Sequence, residues 1–402
     1  MATTTGEGGV APVDGSTGVR RVARVVVPLG FVVAMVIAGI MTLPWFKPGQ
    51  PEFTHAYAGA PGAPSDVVPG VAAVPVPAAN DILQVTITDL TTLAQALPPE
   101  AIIGDGTTFH LLEPVLVSNG GRLVITGTGS LVLDRGSYIE VGPGGVVKLS
   151  GLSIRATGPV TNRGFLADVG GLMVLRHDRL TGLGRFTTLA RGITFEGAIA
   201  GSGITDSVVR DGAIGVYATA SAGIIVVGND VVDSRLDGIQ VQGRSPRPLI
   251  VGNRVTGSGG DGISLSSGAV ATSVVANVVD ATSRYGILVS ASPGPLTIQG
   301  NFVSGAYDGI VCDNSTGTVI RKNQIDAARR FGVRLTGMTT GVTIDSNRLA
   351  NSAVGVYASR GPHGNLIVNN IFDGNGENVR IRTTAPGNTV IPPPGHSELR
   401  SL

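Results

Sequence analysis

The sequence predicts an all-β chain, a parallel β-helix preceded by one N-terminal transmembrane helix. Three observations carry this. A unit of about 23 residues recurs through the C-terminal half, marked by Gly215, Gly238, Gly262, Gly286, Gly309, Gly332 and Gly355. An Asn recurs in step with it, at Asn229, Asn253, Asn277, Asn301, Asn323, Asn347 and Asn370. Residues Val25 to Leu43 form an apolar run long enough to cross a bilayer as a helix. A fixed period of this size signals a solenoid, in which each unit buries its apolar face against its neighbours.

In chain order, residues 1–21 read as a cytoplasmic tail and 22–46 as a transmembrane signal anchor. Arg20, Arg21 and Arg24 precede the apolar run and only Lys47 follows it closely. The positive-inside rule then keeps the N-terminus in the cytoplasm and exports the rest. The expected location is the cell membrane, single-pass, with the β-helix extracytoplasmic. The run is longer than a usual signal core, and Ala56-Tyr57-Ala58 lies well downstream of it, which favours an uncleaved anchor. Residues 47–80, rich in Pro, Ala and Gly, read as an extended linker. Residues 81–100 read as an N-terminal cap, with Asp89 as helix N-cap and Pro98-Pro99 as its stop. The β-helix is expected over 101–390, and 391–402, opening with a Pro run, as a tail.

Within the repeat the apolar pattern alternates, as in Gly238-Ile-Gln-Val-Gln and Gly332-Val-Arg-Leu-Thr. Alternation over short runs between Gly-rich breaks argues for strands with one face buried. No stretch here sustains a 3.6-residue apolar period. The recurring Asn is expected to form an internal ladder at a bend, its amide bonding to backbone groups that the turn leaves unpaired. Gly at the head of each unit, and the Asp before it at Asp237, Asp261 and Asp308, are expected to serve a tight turn. The pattern decays towards the N-terminus, where Ser207, Asp178 and Leu152 keep its frame. Asp178 is therefore expected to be buried structure rather than half of a His177–Asp178 dyad.

Sixty Gly, 24 Pro and few aromatics suit a turn-dense solenoid. A net charge of +1 gives no bulk attraction for nucleic acid. Cys312 is the only cysteine, so no intramolecular disulfide exists, and its strand position is inward. The five histidines show no metal-ligand spacing. Neither a metal nor another cofactor is expected.

A packed solenoid interior leaves ligands the outside. The outward positions of the Gly-Ile-x-Val-x strand read Tyr217, Gln240, Ser264, Leu288, Val311, Arg334, Tyr357, Arg380, and, two residues on, Thr219, Gln242, Ser266, Ser290, Asp313, Thr336, Ser359, Arg382. Neighbouring rungs place these side chains close together. Arg334, Arg380 and Arg382 could pair with carboxylates and Tyr357 could stack on a sugar face. Asp313, Gln240 and Gln242 add polar contacts. Arg334, Tyr357 and Asp313 are the candidates if the face is catalytic. Hydrolysis needs two carboxylates flanking the bond, and Asp313 has no carboxylate beside it in its column.

Units such as Asp308-Gly-Ile-Val-Cys…Val-Ile-Arg-Lys-Asn323-Gln-Ile and Val354-Gly-Val-Tyr-Ala…Leu-Ile-Val-Asn-Asn370-Ile-Phe resemble the repeats of the pectin-lyase-like superfamily. The coils are most similar to those of mannuronan C5-epimerases and copper-maturation proteins. The resemblance implies a right-handed parallel β-helix and a polysaccharide partner. Epimerases of this type carry Tyr-Gly-x-Asp-Pro-His-Asp, of which Tyr285-Gly286-Ile-Leu-Val-Ser-Ala keeps only Tyr-Gly. Their catalytic residues do not carry over. The resulting expectation is a membrane-anchored protein that binds, guides or modifies an acidic polysaccharide on its outward strand face. A uronate lyase or C5-epimerase, and a non-catalytic spacer with a protein partner in a cell-envelope assembly, are the alternatives.

Overall fold

The computed structural model describes residues 80–83, 85–187, 190–382 and 387–392. The anchor expected at 22–46 lies outside them; among the described residues no helix is long and apolar enough to cross a membrane.

Three 13-stranded sheets run the length of the coil, and each turn adds one strand to each. Sheet A begins with Asn80–Leu83 and Val115–Ser118 and ends with Glu377–Ile381; sheet B runs from Thr86–Ile87 to Thr389–Ile391; sheet C runs from Ile102–Gly104 to Ile371–Asp373. Successive strands pair parallel and in register, as in Ile239↔Ile263 and Ile263↔Ile287. The apolar column of sheet A (Ile239, Ile263, Ile287, Ile310, Val333, Val356) is fully buried in a core continuous along the axis. Each such side chain contributes about 1.5–3 kcal/mol on burial.

The Asn ladder forms as its spacing predicts. Asn229 Nδ2 donates to Asn253 Oδ1 at 2.9 Å and to Ile204 O at 3.0 Å, and Asn229 N also donates to Asn253 Oδ1. The same triple of bonds links Asn253 to Asn277, Asn277 to Asn301, Asn301 to Asn323, Asn323 to Asn347 and Asn347 to Asn370. Each amide thus meets backbone groups that the bend cannot pair. Earlier in the column Asp178 is buried and accepts Leu152 N and Arg176 N, while its own N–H goes to Ser207 Oγ. Cys312 is fully buried and burial pushes its thiol up to about 12, so it packs as a small apolar group.

At the N-terminal end the chain adds the short strands Asn80–Leu83 and Thr86–Ile87, then helix α1, Leu90–Ala96. Asp89 caps α1: its Oδ1 accepts Thr92 N at 2.7 Å, and Thr92 Oγ1 accepts Asp89 N. Leu90, Leu93 and Leu97 extend the apolar core there. Ile102–Gly104 then folds back antiparallel on Thr108–Leu111, giving sheet C's first parallel strand a partner on its open edge.

Candidate functional site

The candidate site lies on the outer face of sheet A, and the Gly of each repeat determines which residues reach it. Pairing skips the Gly: Tyr285↔Asp308 is followed by Ile287↔Ile310. At Gly286 an added Cβ would meet Val303 Cγ1 and Gly309 O, so glycine is required for close packing. An added Cβ at Gly309 would meet Ile325 Cγ2 of the core, so this Gly faces inward like Ile310 after it, and Asp308 before it comes to the side occupied by Arg334. Reading that Asp only as a turn residue is therefore incomplete.

Asp308 is fully buried and is held by two arginines. Arg330 donates through Nε at 3.0 Å and Nη2 at 2.7 Å, and Arg334 Nη1 donates at 3.2 Å. Two guanidiniums on one carboxylate leave a net positive charge, with Arg330 side chain 36% exposed. The Arg330 guanidinium also lies over the rings of Tyr307 at 4.6 Å and Phe331 at 4.5 Å. Phe331 in turn stacks on Tyr357 at 4.2 Å.

Two rungs earlier, Asp261 is buried, with Arg284 Nε 3.6 Å away and Tyr285 N donating to its Oδ1. Asp237 Oδ1 accepts Asp261 N, so both Asp residues also serve the backbone of the next coil. Burial, then the neighbouring Asp237 carboxylate, push Asp261 up to about 7. Its Oδ2 has no protein partner, and neither has Arg334 Nε. Arg284 lies over Tyr285 at 5.0 Å with its side chain 58% exposed.

The structure places Arg334, Tyr357 and Arg380 side by side on successive rungs. Arg380 is paired with Glu377, and Arg382 is exposed beyond it. Asp313 lies in the neighbouring column, opposite Thr336, and accepts Asn314 Nδ2. Gln240 and Gln242 stand four rungs before Arg334, where Gln242 bonds Tyr217 Oη. Asp261, Asp308, Arg284 and Arg330 were missed because they precede the Gly rather than follow it. The signal was the Asp-Gly of units 237, 261 and 308, together with Arg284 and Arg330 before Tyr285 and Phe331.

A family model described as right handed beta helix region matches residues 139–303, and one described as periplasmic copper-binding protein (NosD) matches 267–390. No curated protein matches the chain. The crystal structure of the periplasmic alginate epimerase AlgG is similar at 19% identity, TM-score 0.72, over 78% of this chain and 84% of that one. The A-module of mannuronan C-5 epimerase AlgE6 from Azotobacter vinelandii is similar at 15% identity, TM-score 0.53, over 68% and 91%. At these identities the shared property is the fold.

Copper prefers sulfur and imidazole donors. Among the described residues no three His, Cys, Asp or Glu side chains stand together as a metal set, Cys312 is buried, and His110 is bound to Asp134. Among the described residues the donors do not fit a copper centre.

Proposed function

We propose, from the premise that the chain is a right-handed parallel β-helix of the pectin-lyase-like type, that it binds an acidic polysaccharide along the outer face of sheet A. One observation carries this: Arg284, Arg330 and Arg334 interleave with Tyr285, Tyr307 and Tyr357 over a few successive rungs, with one carboxylate shared between Arg330 and Arg334. A glycan running along the axis meets a rung every ~4.8 Å, close to the length of one pyranose. Uronate carboxylates can then reach guanidiniums while ring faces meet tyrosines. Arg382 and the half-exposed Arg380 extend the same track. The apolar run after Arg20, Arg21 and Arg24, and the periplasmic setting of AlgG, support an anchored, extracytoplasmic protein. The test is retention of the full-length chain in alginate-containing native gels. Retention that falls in the Arg330→Ala/Arg334→Ala double variant supports the reading, and mobility indifferent to alginate refutes it.

A second reading rests on Asp261. A carboxylate titrating near neutrality, beside Arg284 and Tyr285, suits abstraction of the proton next to a uronate carboxyl, with Arg284 neutralising that carboxyl. A lyase would release unsaturated ends that absorb in the ultraviolet, and an epimerase would change the C5 configuration. Polyuronates recovered with neither change would exclude both.

A further inference from the structure

The corner between sheets A and B carries a groove of about 730 Å³ that runs across four successive coils. It lies where the strands of sheet A end, whereas Arg284 and Arg330 lie where they begin. Irregular coil lengths produce it. Ser221, Ser292 and Ser315 are buried at this corner, and each Oγ donates to the carbonyl two residues back, at Thr219, Ser290 and Asp313. Ser245 Oγ reaches three residues back, to Gln242 O, because Gly243-Arg244 puts one more residue into that coil. Ser267-Gly268 does the same before the buried Ala269. The next coil places its extra residue on the other side of the corner, in Pro293-Gly294-Pro295-Leu296, ahead of the registered pairs Ser273↔Thr297 and Thr297↔Val319. Insertions staggered in this way turn a smooth ridge into a trough.

The floor of the trough is apolar, made by Pro246, Val270, Ala291 and Pro293, and Ser267 and Thr316 lie at its rim. Asn314 is a fixed wall: its Oδ1 accepts Met338 N at 2.9 Å and its Nδ2 donates to Asp313. Arg244, in the first of the four coils, is the one ionisable group in the lining. Its stem lies along the next coil, since a Cβ added at Gly268 would come within 3.4 Å of Arg244 Cα and Cγ. Gly268, at φ 100°, is also left-handed, so glycine is required there for both reasons.

A cavity of this volume, mostly apolar with a few polar groups to set orientation, has the make-up of a small-molecule site. Its lining offers a pyranose no aromatic face to stack on, and Ser292 Oγ is committed to Ser290 O. Four coils at ~4.8 Å per rung give a straight trough of roughly 14 Å. That form, apolar along its length and cationic in its first coil, complements an extended hydrocarbon chain with one acidic head. The geometry points to this trough as a binding site for a free fatty acid, its chain on Pro246, Val270 and Pro293 and its carboxylate at Arg244.

This goes beyond polysaccharide binding, uses none of the residues assigned to it, and is tested apart from it. Full-length chain is irradiated with a medium-chain fatty acid bearing a diazirine near its methyl end, and labelled peptides are mapped by mass spectrometry. Label is expected within residues 244–316, removed by excess unlabelled fatty acid, with the matching alcohol about five-fold weaker as competitor. Val270→Trp fills the trough and should abolish this label. Arg244→Gln should weaken competition by the acid about five-fold and leave the alcohol unchanged. Melting temperature and alginate retention should stay at wild-type values in both variants. Label confined to other segments, equal labelling of the trough in wild type and both variants, or acid and alcohol competing equally overturns the proposal. A chain labelled at the trough but not retained by alginate sinks the arginine-end reading and leaves this one standing.

Discussion

A single amide in the ladder column does the work of several backbone partners. Asn277 Nδ2 serves Ile250 O and Asn301 Oδ1, and its own Oδ1 accepts from Asn253. Asn277→Ala strands these groups in the interior, and denaturant unfolding should show a loss of about 1–3 kcal/mol. The buried acids act in the opposite sense. Asp178 and Asp261 are raised to about 6 and about 7, above their ordinary range near ~4. The folded chain therefore holds their protons more tightly than the unfolded one. Their contribution to stability is fully present below about pH 4 and is lost as pH rises through 6 and 7. Asp261→Asn removes a charge that Asp237 repels and that Arg284 offsets only in part. At pH 8 the variant should be more stable than wild type, by roughly 4 kcal/mol given ~1.4 kcal/mol per pKa unit over about three units, and the gain should vanish by pH 4. An equal gain at both pH values would contradict the assignment.

At the scale of the element, each strand of sheet A is organised by its leading Gly. Gly286→Ala forces a Cβ towards Val303 Cγ1 and Gly309 O, and overpacking of this kind costs about 1–3 kcal/mol, readable as a fall in melting temperature. Leu93 in α1 is fully buried in the core, so Leu93→Ala should cost about 2–5 kcal/mol. These features were legible in the sequence because close packing and buried amides admit so few residue types. Asp89 was legible because few side chains can accept the free N–H groups at a helix start. The site was only half legible. Alternation counted from Ile287 finds Arg334 and Tyr357, but Gly309 and Ile310 both face the core, which brings Asp308 to the outer face and breaks the alternation. Arg330 lies in a bend before its strand, and its role depends on tertiary closure over Asp308. The sheet A carboxylates Glu140 and Glu196 lie where the repeat has decayed, so no period marked them. A second column of hydroxyls, Ser292 to Ser315 to Thr339, was also hidden, since Ser and Thr are common in any turn.

Among the described residues the recurring positions build the coil, and the variable ones give its sheet A face two chemically different ends. One end has Glu140 and Glu196 near the stacked Tyr138 and Phe165; the other has arginines and tyrosines over one shared carboxylate. Formal net charge is only +1, so attraction for an anionic polymer must come from this local placement. Binding should accordingly weaken with added salt, because exposed charges are screened beyond about 8 Å at 0.15 M ionic strength. The most direct measurement is the retardation of the full-length chain in alginate native gels, compared with Arg330→Ala/Arg334→Ala and with Glu140→Gln. The account predicts retardation of wild type and Glu140→Gln alike, falling at least several-fold in the arginine variant. Equal mobility of all three with and without alginate would contradict it.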